Sequence, residues 1–266
     1  MAKKGATIAF SGKGGSGKTT LASLVLREML RRGCKPILAV DADPNATLAL
    51  NLGVEPADTI ADLRDRMGEA AQKVSEIPKD RLMDQWLPEL LSEQAGFDLL
   101  TMGRPEGPKC YCYVNGLLRR YLGLLRQSYP YMVVDCEAGM EYFSRLTVDD
   151  IDTLVMVAEG STVGLTTVAR IGKLADSLPI RVGRRVLALN KVGGIGMDCG
   201  FPAELVEGLK IDAVVQVPFD KDLAVRSAHG DPIDADAGAA APAAVGQLTD
   251  HCLSLSGQSS EQTIRS

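Results

Sequence analysis

The sequence predicts an α/β fold: a mainly parallel sheet of seven to eight strands, flanked by helices. Three observations predict it. Apolar, strand-like runs alternate with amphipathic helical stretches along most of the 266 residues, the pattern of parallel strands joined by crossover helices. Aspartates follow several of those runs, where open parallel sheets place their ligands. A glycine-rich turn, Gly12-Lys13-Gly14-Gly15-Ser16-Gly17-Lys18-Thr19, separates the first strand from the first helix.

Taken in order, Thr7–Phe10 is a buried strand, and Thr19–Arg31 a helix with Leu21, Leu24, Val25 and Leu30 on its apolar face. Pro36–Val40 is the second strand, ending in Asp41-Ala42-Asp43-Pro44. Residues 54–96 are strand-free, a helical excursion with a helix over Asp80–Gln94. Phe97–Met102, Tyr131–Asp135, Thr153–Ala158, Arg185–Asn190 and Ala213–Val217 complete the strands. Helices are expected at Val114–Gln127, Val163–Ser177, Pro202–Gly208 and Ala244–Ser254. Asp231–Val245, rich in Ala, Pro and Asp, is a loosely held link. The expectation is one domain over residues 1–254, with a polar, disordered tail at 255–266.

Hydrophobic residues make up 45% of the chain and charged residues 24%, enough apolar material for a substantial core. A formal charge of −5 argues against broad electrostatic binding to nucleic acid. No apolar run approaches the roughly 20 residues that span a bilayer, and Met-Ala-Lys-Lys-Gly leads straight into the first strand. A cytoplasmic protein without nucleic-acid or membrane partners is expected, with its six cysteines free, metal-bound or redox-active rather than disulfide-bonded.

The glycine-rich turn fits the phosphate-loop pattern G-x-x-x-x-G-K-[ST], in which each residue type has a task. Its glycines let the backbone curl so that successive N–H groups face one phosphate chain. Lys18 reaches the outer phosphates, and the Thr19 hydroxyl binds the Mg²⁺ that bridges them. A carboxylate at the tip of an apolar strand is costly unless a cation or donors meet it. Asp135 is therefore expected to hold Mg²⁺ through water, Asp41 to lie in the same neighbourhood, and Asp43 to orient the attacking water. Glu137-Ala138-Gly139 suits a loop that switches with the γ-phosphate.

Cys110 and Cys112 form a C-x-C pair between a strand and a helix. In extended geometry both sulfurs share a face, with a Cα separation of roughly 7 Å, and a small turn brings them to chelating distance. One chain offers two thiolates where a closed metal site wants four; a two-fold homodimer supplies the rest. Such a site suits Zn²⁺ if tetrahedral and Ni²⁺ if nearer square planar. His229 and His251 make no metal-ligand spacing with anything. Cys34 and Cys252 read as structural, Cys199 as an exposed thiol, and Cys136 as part of the switch loop near the dimer face.

Lys13 through Thr20, Val40-Asp41-Ala42-Asp43-Pro44-Asn45 and Val133-Val134-Asp135 together resemble the deviant Walker A ATPases, which include MinD, ParA and the nitrogenase iron protein. The resemblance implies a P-loop NTPase of that type, binding ATP/ADP and Mg²⁺ through Gly12, Gly14, Gly15, Ser16, Gly17, Lys18, Thr19 and Thr20. It implies an ATP-driven dimer in which Lys13 crosses to the partner's phosphates and joins Lys18 and Asp43 in catalysis. A cation from a second chain neutralises transition-state charge only when the dimer is closed. It further implies that Asn190, in Asn190-Lys191-Val192, reads the adenine, with Lys191 beside it and Pro218 packed near the base.

The longer string Phe97–Pro108, Cys110-Tyr111-Cys112-Tyr113-Val114-Asn115, Leu118-Arg119 and Val134–Glu141 resembles the nickel-handling accessory ATPases that mature carbon monoxide dehydrogenase, or their relatives for acetyl-CoA synthase. This likeness covers roughly residues 6–225. It implies Ni²⁺, with Zn²⁺ competing, held by Cys110 and Cys112 of two chains and passed to the client enzyme. Lys109 departs from the family's glycine. Its charge favours the neighbouring thiolates but opposes a bound cation. A second reading keeps the ATPase but gives it an iron–sulfur cluster held by Cys110 or Cys112 together with Cys136, as in the nitrogenase iron protein. A third is a MinD- or ParA-like positioning module, which lacks its basic amphipathic tail here.

Overall fold

The computed structural model describes residues 5–73, 86–104, 111–136, 150–194, 204, 206, 208–233 and 241–254. Eight strands form one sheet among them: β1 (Ala6–Gly12), β2 (Ile37–Ala42), β3 (Leu91–Gln94), β4 (Phe97–Thr101), β5 (Tyr131–Cys136), β6 (Asp150–Glu159), β7 (Arg181–Val192) and β8 (Ala213–Pro218). Their order is β3-β4-β2-β5-β1-β6-β7-β8. Every pair is parallel except β3 with β4. The expected α/β class is therefore found. β1, β2 and β5 are buried along their whole length, because helices cover both faces, and their sequences read as unbroken apolar runs.

The helices are α1 (Lys18–Arg31), α2 (Thr47–Leu52), α3 (Ile60–Lys73), α4 (Tyr111–Leu125), α5 (Thr162–Ser177), α6 (Lys221–His229) and α7 (Pro242–Leu253). Two cores result. On one face Ile8, Phe10, Val133 and Val155 meet Leu21 and Val25 of α1, Leu48 of α2, and Val245 and Leu248 of α7. On the other, Val134, Leu154 and Met156 meet Ile60 and Leu63 of α3, Tyr121 of α4, and Val168 and Ile171 of α5. No helix among the described residues is long and apolar enough to cross a membrane.

Two expectations change. Leu91–Gln94, read as the end of a helix, is the antiparallel edge strand β3, preceded by a 3-10 turn at Leu87–Leu90. The stretch 54–96 is thus not strand-free. A two-residue connection through Gly96, whose φ is 97°, turns β3 into β4, a conformation glycine adopts without steric cost. The second change is at Asp231–Val245. Ile233 is fully buried and donates its N–H to the Asn51 carbonyl, so the start of that link is tied to α2. Residues 80–85, most of Pro202–Gly208 and the tail at 255–266 lie outside the described residues.

Candidate functional site

β1 runs between β5 and β6; the chain builds β2 to β5 on one side of it and then crosses to build β6 to β8 on the other. Crevices at such switch points are where parallel sheets bind ligands. The phosphate loop joins β1 to α1 at this point. A Cβ on Gly12 would stand 2.1 Å from the Val157 carbonyl oxygen, and one on Gly17 would stand 2.2 Å from Asn190 Nδ2. Gly17 also has φ 91°. Both positions therefore admit only glycine. Gly17 leaves the start of α1 without a side-chain cap, and the first turn carries no acidic residue. The unsatisfied N–H groups of that turn, with the helix dipole behind them, present an anion site. Lys18 is buried, its Nζ 3.5 Å from the Lys13 carbonyl oxygen, while Lys13 is exposed.

Asp41 and Asp135 lie opposite one another in the β2–β5 register, both fully buried. Asp41 Oδ2 accepts from Leu48 N at 2.7 Å and Oδ1 from Asp43 N at 3.2 Å. Burial, and then the neighbouring Asp135, push its carboxyl up to about 7. Asp135 has no hydrogen-bond partner on either oxygen. Burial pushes it up to about 7 as well, against the Thr19 hydroxyl and the Lys18 ammonium, which favour the carboxylate. The Thr19 hydroxyl is thus near Asp135 but outside hydrogen-bonding geometry. A bare carboxylate beside a threonine hydroxyl and a phosphate loop suits Mg²⁺, which takes few protein oxygens and completes its shell with water and phosphate. No group of three chelating His, Cys, Asp or Glu side chains occurs among the described residues. Asp43 turns its Oδ1 to Asn45, accepting from the backbone N–H at 2.9 Å and the side-chain amide at 2.8 Å. Asp43 is only partly buried.

A cavity of about 490 Å³ continues from the loop. Gly15, Gly17, Lys18, Thr19 and Thr20 line one end, and Asn190, Lys191 and Pro218 line the wall, so residues distant in sequence are brought together around it. Asn190 Nδ2 donates to the Ser16 carbonyl at 2.8 Å, and its Oδ1 accepts from Lys191 N at 3.0 Å. The sequence reading missed much of the remaining lining, including Thr47, Leu50 and Asn51 of α2, Phe219, and Leu223, Ala224 and Ser227 of α6. One signal for α6 was present. Asp220 caps the helix by accepting from Leu223 N at 3.0 Å, the usual role of an aspartate before a helical run.

Cys110 and the Glu137–Gly139 loop lie outside the described residues, as does Cys199; Cys112 is placed in the first turn of α4. Cys136 departs from expectation. It is the last residue of β5, paired with Ala42 and fully buried, not a loop residue. Burial and then Asp135 push its thiol well up. Cys34 and Cys252 are buried, as structural cysteines should be.

Loop, helix and sheet order define a P-loop nucleoside-triphosphate-binding fold. The pattern of the CobQ/CobB/MinD/ParA nucleotide binding domain matches residues 7–233, and the chain belongs to that family. An uncharacterized ATP-binding protein of Methanocaldococcus jannaschii is 35% identical over 236 residues, 85% of this chain and 89% of that protein. The carbon monoxide dehydrogenase accessory protein CooC of Rhodospirillum rubrum is 30% identical over 236 residues, 84% of this chain and 87% of CooC. The cell division ATPase MinD of Pyrococcus furiosus has a similar solved structure, with a TM-score of 0.67 and 20% identity, over 92% of this chain and 97% of that one. That likeness is one of fold.

Proposed function

We propose that the chain is an ATP-dependent homodimeric metallochaperone that captures Ni²⁺ and assists its insertion into carbon monoxide dehydrogenase, or the related acetyl-CoA synthase. The observation that carries the ATPase part is the buried, unpartnered Asp135 carboxyl beside Thr19 and Lys18. A buried acid without donors is destabilising unless a ligand completes it. Thr19 and Asp135 would hold Mg²⁺, with Asp41 beside them, and the ion would neutralise charge on the outer phosphates. The loop N–H groups and Lys18 orient the phosphate chain. Asp43 places the attacking water once its Oδ1 leaves Asn45. Lys13, exposed on the loop, reaches the phosphates of the partner subunit in the closed dimer.

The cargo part is supported by the likeness to CooC across 84% of the chain and by the C-x-C pair where β4 gives way to α4. Cys110 and Cys112 of two protomers would hold one Ni²⁺, or Zn²⁺ in its place, and hydrolysis would reshape the dimer for release. The iron–sulfur reading loses support because Cys136, the second ligand it needs from each chain, is fully buried in the sheet. The positioning-module reading gains none from α7, whose Val245, Leu248 and Cys252 pack against the sheet.

Metal analysis with size-exclusion chromatography, on the purified chain and on Cys110→Ala/Cys112→Ala, tests the proposal. One nickel per two chains, lost in the double variant while ATP binding persists, is the expected result. Nickel retained at wild-type stoichiometry by the double variant would refute the cargo site. A wild-type chain that releases no phosphate from ATP would refute the ATPase.

A further inference from the structure

Two side chains that the proposed reaction does not use hold the phosphate loop, and a third holds one of them. Asn190 Nδ2 donates to the Ser16 carbonyl at 2.8 Å, and Lys191 Nζ donates to the Gly15 carbonyl at 2.8 Å. Two consecutive loop carbonyls are thus engaged by two consecutive residues of β7. The Lys13 carbonyl is engaged within the loop, by Ser16 N at 3.2 Å. Carbonyls turned away in this manner leave the alternate N–H edge facing the phosphate side.

Lys191 is itself held. Its Nζ lies 2.7 Å from Glu159 Oε1. Glu159 ends β6 directly opposite Asn190 in the β6–β7 register, and β6 lies against β1, from which the loop springs. Lys191 also has φ 61°, a left-handed conformation that a lysine adopts only at a cost. Such outliers persist where the surroundings fix them, and they cluster at functional sites. The strained backbone and the Glu159 carboxylate together direct the ammonium onto the loop carbonyl.

We propose that Glu159 is a positioning residue for nucleotide binding, acting through Lys191 to preorganise the phosphate loop. On this view Lys191 serves the loop backbone and not the nucleotide. A preformed cradle lowers the cost of binding. It does not touch the reacting atoms, so its loss should appear in affinity more than in turnover. The inference rests on the nucleotide-binding reading above, though not on nickel or on any client enzyme.

The test measures MgATP affinity by calorimetry, KM and kcat for hydrolysis, and amide exchange of residues 14–18 in nucleotide-free protein, for Glu159→Ala, Glu159→Asp, Lys191→Met and Glu159→Ala/Lys191→Met. Removing one charge-assisted hydrogen bond should weaken MgATP binding about fivefold to tenfold. KM should rise alongside, with kcat changed by less than about twofold, and loop exchange should quicken. Glu159→Asp should recover part of the affinity. Because Glu159 acts through Lys191, Glu159→Ala should add nothing in the Lys191→Met background. Unchanged affinity and unchanged exchange in Glu159→Ala would overturn the inference, as would a full second loss in the double variant. The exchange measurement needs no nucleotide. A wild type that fails to bind MgATP while the loop still loosens in Glu159→Ala would therefore refute the nucleotide reading and spare the brace.

Discussion

The ends of β2 and β5 place the same residue type at the same level of the sheet, yet Asp41 and Asp135 differ in what meets them. Both are fully buried and both carboxyls are pushed up to about 7, by burial first. Asp41 receives two backbone N–H groups and so fastens β2 to the start of α2. Asp135 receives none, and the threonine and lysine of the phosphate loop are the groups that favour its carboxylate. Burial and an elevated pKa therefore do not distinguish a structural acid from a ligand-binding one. The hydrogen-bond inventory does: a satisfied carboxylate stabilises the fold, whereas an unsatisfied one implies an absent partner.

The largest effect that would break this contrast is on hydrolysis. Asp135→Asn should reduce phosphate release about a hundredfold or more if, as proposed, the group helps hold the Mg²⁺ that offsets charge on the phosphates. It should not lower the melting temperature of the nucleotide-free chain, because no protein donor loses its acceptor. Asp41→Asn should do the opposite. An amide cannot accept both backbone N–H groups, and one buried donor left unpaired costs about 1–3 kcal/mol, a fall of several degrees in Tm. Hydrolysis should suffer less than in Asp135→Asn. Reversal of the two outcomes, read by phosphate release and thermal melts, would mean that the roles have been exchanged.

How much of this was legible in the sequence follows from the same physics. The strands β1, β2, β5 and β6 are buried on both faces, so plain apolar runs revealed them. The phosphate loop was legible because its parts are consecutive. β3 was not: Leu91-Ser92-Glu93-Gln94 is short, polar on its exposed side, and takes its structure from pairing with β4. Nor was α2, a six-residue helix entered through a left-handed Ala46 without a side-chain cap. Cys136 was misplaced because β5 runs one residue beyond its aspartate to pair with Ala42. The brace formed by Glu159 and Lys191 depends on sheet register, and local sequence carries no record of register. Asp41 and Asp135 could be seen as strand-end acids, but their different hydrogen bonding arises from where α2 begins.

The last effect concerns proton linkage, and it sharpens the contrast. Both native carboxyls hold their protons up to about 7, whereas the unfolded chain releases them near the ordinary value of 3.8. The native state then binds more protons than the unfolded state between those values. Their contribution to metal-free stability should therefore be greatest below the unfolded value, fall as pH rises toward 7, and level off above it. Each proton contributes at most about 1.4 kcal/mol per pH unit. Melts across this range, without Mg²⁺, should show a shallower fall in Asp135→Asn and in Asp41→Asn than in the wild type. The two acids separate when magnesium and a non-hydrolysable ATP analogue are added near pH 7. Binding needs Asp135 ionised, so the wild type should release protons on ligation, visible as a binding enthalpy that varies with the ionisation enthalpy of the buffer. Asp41 already has its donors, so Asp41→Asn should retain most of that release and Asp135→Asn should lose it. Equal proton release from all three proteins would remove Asp135 from the magnesium site.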